Sequence, residues 1–431
     1  MASVQADGRA ALPSARSRSR RTMLILLFVI GIVAYADRQV IALLKPVLDR
    51  EFGWSAADYA TISSWSQLAI AFSLLASGWV TDRFGVRWTL GAGLAGWSLA
   101  TVLHAAVSTV SGFLGVRIAL GVFEGVGTPA TMKAMAQYFA PDARGRMIGL
   151  LNAAPNLAAM LAPLLVSALS GYTGWRGTIV IVGSIGLVCT VLWFSQTDAT
   201  HVPARVDVNA WSGKGAATSR PVVGGTGRRL TAAFALGKFL TDPVWWFLLF
   251  WLPDILHRRY GLDTAHLGAP LAVAYAMAAL GSIIGGYAPA MLAGNGLSHE
   301  RARRVVMGLA ALCVLPLPLV LWIPTLGWGV LICGLALAAH QTFAVNLFGL
   351  LTEWLPHDQV GRGTGIGAFC GNIGGALALH IVGGFVAAGQ LLPVLGYCAV
   401  AYVLGWGVLI LCVPVRSLVA LRKRADANAA Q

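Results

Sequence analysis

TMLILLFVIGIVAYADRQVIALL, residues 22–44, decides the solvent in which this chain folds. A helix rises 1.5 Å per residue, so about 20 apolar residues cross the hydrocarbon core of a bilayer. This run has that length and is apolar throughout, apart from Asp37, Arg38 and Gln39. A charge at mid-helix costs about 2.5–3.5 kcal/mol on insertion scales, so Asp37 and Arg38 require partners, water or a function.

Similar runs recur at approximately 58–80, 89–111, 114–139, 145–169, 177–196, 231–256, 267–291, 305–324, 327–352, 364–388 and 394–415, giving twelve spans. The composition agrees: 57% of the 431 residues are hydrophobic and 11% charged, a balance that a water-soluble chain of this length does not keep. The sequence therefore predicts an all-α integral membrane protein.

A formal charge of +14 would suggest nucleic acid if the basic residues formed one surface. They instead alternate with the sides of the membrane. With Met1–Arg21 placed in the cytoplasm, the tails and loops on that side hold 22 of the 31 Lys and Arg. The opposite loops hold five (Lys45, Arg50, Arg176, Arg258 and Arg259), and four lie within spans. That is the positive-inside pattern of a multi-pass protein with both termini cytoplasmic, and no nucleic-acid partner is expected. The six cysteines all fall in spans with no metal-ligand or redox spacing, so they read as packing residues. No disulfide, metal or cofactor is expected.

The apolar pattern stops after Gln196 and resumes near Leu230, which divides the chain six plus six. The expected organisation is a basic tail (1–21), a six-helix bundle (22–196), a cytoplasmic linker (197–230), a second bundle (231–415) and a tail (416–431). Two features repeat across the division. Intramembrane charges fall on span 1 (Asp37, Arg38), span 4 (Arg117, Glu124, Lys133) and span 7 (Lys238, Asp242), while span 10 carries His340, Gln341 and Asn346. Small residues at four-residue spacing mark spans 2, 5, 8 and 11, for example Ser73/Ser77, Ala154/Ala158/Ala162, Gly281/Gly285 and Gly363/Gly367/Gly371/Gly375. Such stripes allow close helix approach. Spans 1, 4, 7 and 10 are thus expected to line a polar cavity, and spans 3, 6, 9 and 12 to face lipid.

Arg117 and Glu124 stand seven residues apart, about 10 Å along one helix face, too far for an easy intrahelical pair, so each is expected to look across the cavity. Asp37 and Arg38 diverge by about 100°. A guanidinium grips a carboxylate with two parallel hydrogen bonds and keeps its charge, which makes Arg38 and Arg117 candidate anion clamps. The proton affinity of Asp37 and Glu124 then depends on whether an anion occupies the neighbouring arginine, which is the physics of a proton-coupled anion carrier. The alternative is that these acids simply neutralise the arginines as fixed pairs. Lys238 and Asp242, four apart, are equally open to a simple mutual pair or a substrate role. Between spans 2 and 3, GWVTDRFGVR (78–87) supplies Gly78, Asp82, Arg83, Gly85 and Arg87, a tight turn whose charges can lock helix ends in one conformation and release them in another.

That loop, in a six-plus-six chain, resembles the signature of the major facilitator superfamily. YADRQV (35–40), RIALGVFEG (117–125), TPATMKAMAQYFAP (128–141), GWR (174–176), KFLTDPVWWFLLFWLP (238–253), AHQ and NLF (339–341, 346–348) and GNIGG (371–375) resemble the anion:cation symporter family, most closely its hexuronate transporters. The resemblance implies two pseudo-symmetric six-helix bundles and proton-driven uptake of a small organic anion, a sugar acid such as a hexuronate, across a bacterial inner membrane by a monomer. It implies protonation sites at Asp37 and Glu124, and substrate contacts at Arg38, Arg117 and Asn372. Gln341, Asn346 and Lys238 are added as substrate-binding candidates, and Asp242 joins the gating set.

The sequence also departs from the family. Ile70 stands where a tyrosine is common, the span 5 string LNAAPNLAAMLAP (151–163) keeps Asn152 but lacks the usual glycine, and His380 replaces a frequent lysine. The coupling residues are intact while part of the sugar-facing set has changed. Competing expectations are an exporter of apolar or cationic compounds and a non-transporting sensor. An enzyme is not expected, since no nucleophile stands at a meaningful spacing from a base. The sequence assigns no role to Lys133, His340 or His380.

Overall fold

The computed structural model describes residues 13–138, 151, 153–197, 225–355 and 357–412. Asn152 and most of the linker lie outside the described residues. The described chain is helical, as lipid requires of a spanning segment that must satisfy its own backbone groups. Among the described residues nine helices are long and apolar enough to cross a membrane.

Two glycines divide the longest helices. Gly85 (φ 77°) breaks Ala56–Leu103 into spans 2 and 3, and Gly174 (φ 66°) breaks Ala153–Gln196 into spans 5 and 6. Both lie in the left-handed region that a side chain resists. At the first turn Thr89 Oγ1 donates to Val80 O at 3.5 Å, so the returning leg lies beside the outgoing one. Span 4 is likewise interrupted, Val110–Glu124 giving way to Gly127–Tyr138. Divided in this way, the described helices are consistent with twelve spans.

The small-residue stripes meet the partners that pseudo-symmetry requires. In the first half, a Cβ on Gly121 would come within 2.5 Å of Ser66 O, and one on Gly125 within 2.4 Å of Ser73 Cβ, which places span 4 on span 2. In the second half, a Cβ on Gly281 would come within 2.2 Å of Ala338 O, which places span 8 on span 10. Gly31 faces Ala154, joining spans 1 and 5, and Gly375 faces Trp246, joining spans 7 and 11. The 2-on-4 and 1-on-5 contacts of one half thus return as 8-on-10 and 7-on-11 in the other. Val188 and Val191 of span 6, Leu309 and Leu312 of span 9, and Leu404 and Leu411 of span 12 stay exposed, as lipid-facing residues do.

Contacts between the halves gather toward the face on which span 1 ends, here called the far face. Tyr59 Oη donates to Phe250 O at 2.8 Å, and its ring meets Trp251 edge-on at 5.1 Å. A Cβ on Gly383 would overlap Ala60, and one on Gly268 would lie 3.0 Å from Ser167 Cβ. The apolar core follows the same division. Far-face residues of the first half, including Leu44, Trp54, Phe113 and Trp175, share one continuous cluster with the second half, whereas Met23, Leu90, Trp97 and Trp193 form a separate cluster. The halves are therefore sealed together at the far face.

Candidate functional site

Arg38 stands where the halves meet. Its Nη2 donates to Glu124 Oε1 in a short bond between spans 1 and 4. The guanidinium lies 4.9 Å from the ring centroid of Tyr35, one turn earlier on the same helix, and 5.0 Å from that of Trp246 on span 7. A planar cation suits this position between two aromatic faces. Glu124 Oε2 is buried with no hydrogen-bond partner among the described residues, so the carboxylate is only half engaged.

Arg117 is placed differently from expectation. It was expected to look across the cavity as an anion clamp, yet its Nη2 donates to Arg38 O at 2.9 Å and its Nη1 to Asp37 O at 3.4 Å. Its side chain is 1% exposed, and the guanidinium braces the span 1 backbone at the Asp-Arg pair. Asp37 turns away from Arg38 into the first half, as the 100° divergence requires. Among the described residues neither of its carboxyl oxygens has a hydrogen-bond partner, the nearby Thr101 hydroxyl donating to Trp97 O at 3.0 Å.

In the second half Lys238 Nζ pairs with Asp242 Oδ2 at 2.7 Å within span 7, the mutual pair left open by the sequence. Its ammonium also lies 4.9 Å from the ring centroid of Phe348 on span 10. Gly371 is needed there, because a Cβ would come within 2.0 Å of Asp242 Oδ2. Asn372 accepts from Gln67 Nε2 of span 2, a direct bond between the halves, and donates to Ala368 O at 2.7 Å. Gln341 is half-buried on span 10.

Asn346, a substrate-binding candidate in the sequence, is engaged between helices in this structure: its Nδ2 donates to Gly285 O at 2.9 Å and to Thr342 O at 2.8 Å, and its Oδ1 accepts from Arg303 Nη1 at 3.3 Å. With the residue wholly buried, this amide fastens span 10 to span 8.

The loop string ties the helices of the first half together at the face opposite the far face. Asp82 Oδ1 accepts from Lys133 Nζ at 2.6 Å, and the same ammonium donates to Thr81 O at 3.1 Å, tying span 2 to span 4. Arg87 Nη2 donates to Phe194 O at 3.3 Å, tying span 3 to span 6. Gly85 makes the turn, Arg83 is exposed, and Gly78 has open space where a Cβ would stand. Lys133 thus acquires the role that the sequence did not assign. His380 is exposed and Ile70 is buried.

Sequence reasoning missed a second charged cluster. Lys45, assigned to a far-side loop, lies inside helix Pro13–Phe52 with no exposure. Its Nζ bonds Asp49 Oδ2 at 2.5 Å on the same helix and Asp254 Oδ1 at 2.9 Å on span 7. Arg258 Nε in turn holds Asp254 Oδ2 at 2.8 Å. The i,i+4 spacings of Lys45/Asp49 and Asp254/Arg258 were the available signal, since such pairs neutralise each other on one helix face and extend a tolerable span.

Two packed halves, a charged centre between them and a seal on one face define a membrane transporter rather than an enzyme. The Major Facilitator Superfamily profile matches residues 27–379, and the chain belongs to that superfamily. A probable L-galactonate transporter of Escherichia coli (strain K12) is 26% identical over 81% of this chain and 79% of its own length. A D-galactonate transporter of Escherichia coli O6:H1 is 24% identical over 90% and 94% respectively. Among solved structures, an inward-facing, occupied bacterial homolog of the human lysosomal transporter Spinster superposes with a TM-score of 0.72 at 17% identity. That match covers 95% of this chain and 98% of the other.

Proposed function

We propose that this protein is a proton-coupled symporter that imports a small organic anion, a sugar acid, across the bacterial inner membrane by alternating access. One observation carries the reading: the Arg38–Glu124 bond at the meeting of the halves. A substrate carboxylate competes with Glu124 for the same guanidinium. When the anion takes Arg38, Glu124 loses its counter-charge and gains most from a proton; when the anion leaves, Glu124 returns to Arg38 and the proton is released. Asp37, buried without a donor, serves as a second proton site.

Electrical work supports two sites. An anion of charge −1 entering a negative-inside cell works against about 2.3 kcal/mol per 100 mV, so one proton makes the step neutral and a second makes it favourable. The galactonate transporters among the relatives agree with a polyhydroxy acid as cargo. The seal at the far face fits a state open toward the cytoplasm, with both termini on that side and the chain acting as a monomer.

The test is uptake of a panel of labelled hexuronates, aldonates and aldarates into proteoliposomes under an imposed proton gradient. The expected result is accumulation of at least one acid, abolished when the pH gradient and the potential are collapsed together. Accumulation indifferent to that collapse rules out proton coupling, and indifference to every acid in the panel rules out the cargo class.

A further inference from the structure

One buried imidazole in the second half has no place in the charge chemistry. His340 lies against Trp245 of span 7, the two rings nearly parallel at 18° with centroids 5.1 Å apart. Its Nδ1 is 2.6 Å from the hydroxyl of Tyr402 on span 12. That hydroxyl has a single proton and also lies 3.3 Å from Thr241 O, a carbonyl that can only accept. The arrangement satisfying both contacts directs the tyrosine proton to Thr241 O and makes the tyrosine oxygen the acceptor for Nδ1–H.

In a neutral imidazole with its proton on Nδ1, Nε2 is a lone-pair acceptor. Among the described residues it has no hydrogen-bond partner, and the side chain is buried. On the same helix Gln341, Ala344, Val345 and Phe348 are half-buried, and Phe348 lies beside the Lys238 ammonium, so span 10 carries the imidazole next to the charged centre. The charged groups at the centre read a carboxylate but have nothing specific for an alcohol. A fixed acceptor on the opposite wall fits one.

We propose that His340 is a specificity residue of the transport site, its Nε2 accepting a hydrogen bond from one hydroxyl of the carried acid while Tyr402 holds the ring in the acceptor tautomer. This rests on the sugar-acid reading above. It also accounts for a polar ring at a place where packing between Trp245 and Tyr402 alone would favour an apolar one.

The test is calorimetric binding to the purified full-length protein. The ligands are the tightest-binding acid from the sugar-acid panel and its monodeoxy analogues, each lacking one hydroxyl. In the wild type, loss of one particular hydroxyl is expected to weaken binding fivefold or more. In His340→Leu that penalty should fall below twofold while the penalties at other positions persist. Tyr402→Phe keeps the aromatic contact but removes the acceptor for Nδ1–H, and should shrink the same penalty and no other. Penalties unchanged in both variants overturn the assignment. So does a uniform loss of affinity in His340→Leu, accompanied by an unchanged deoxy profile in Tyr402→Phe, which marks a packing residue. Absence of binding by every acid to the wild type overturns the sugar-acid reading itself.

Discussion

Lys45 on span 1 and Asp254 on span 7 are bonded at 2.9 Å across the two halves, with the lysine wholly buried. Each also has a partner four residues away on its own helix, Asp49 for the lysine and Arg258 for the aspartate. When the halves part at the far face, neither charge is stranded: Lys45 retains Asp49, and Asp254 retains Arg258. The cluster therefore holds the seal without the penalty of several kcal/mol that an unpaired buried ion carries.

Asp254→Asn removes the ion pair between the halves, leaving at most a neutral amide acceptor, and keeps Lys45 paired with Asp49. The population open at the far face should rise about 5- to 30-fold, corresponding to roughly 1–2 kcal/mol. Labelling of a cysteine at Ala60 by a membrane-impermeant maleimide should accelerate accordingly. The Asp49→Asn/Asp254→Asn double variant leaves Lys45 with neither acid, and should lose about 3–5 kcal/mol and much of its folded yield.

Glu124→Gln keeps the shape of the span 4 side chain but cannot exchange a proton. Substrate counterflow should continue in this variant while gradient-driven accumulation falls to background. Retained accumulation would move the coupling site elsewhere.

Arg38→Lys retains the charge and loses both the planar stack between Tyr35 and Trp246 and two-point carboxylate recognition. Affinity for the carried acid should drop at least tenfold. Arg117→Lys affects the fold first, because its guanidinium spans two carbonyls of span 1. A loss of about 1.5–3 kcal/mol is expected, seen as a lower thermal midpoint in detergent without substrate.

Gly281→Val places side-chain atoms on Ala338 O, where even a Cβ would come within 2.2 Å, and should abolish folded yield. Gly286→Ala, with open space around the new methyl, should express as the wild type. The pair tests whether spans 8 and 10 pack as closely as described.

Residues 22–44 and the runs resembling them were enough to fix the solvent, the all-helical class and the six-plus-six division, because a bilayer admits so few ways of satisfying a backbone. The small stripes announced close helix contacts, and the Asp-Arg pair with Glu124 marked the centre. Tertiary structure alone decided which partner each charge takes. The sequence could not say that Glu124 reaches Arg38 while Arg117 turns to the span 1 backbone, that Asn346 is spent on helix packing, or that Lys45 belongs to a buried seal. Lys45 was misplaced because the apolar run stops at Leu44, and apolar length alone ends the span there although the i,i+4 acid Asp49 lets the helix carry the lysine on inside the protein. Apolar length is a local property of the chain, whereas a buried charge is settled by whichever partner the fold brings within about 3 Å, often from the other half of the molecule.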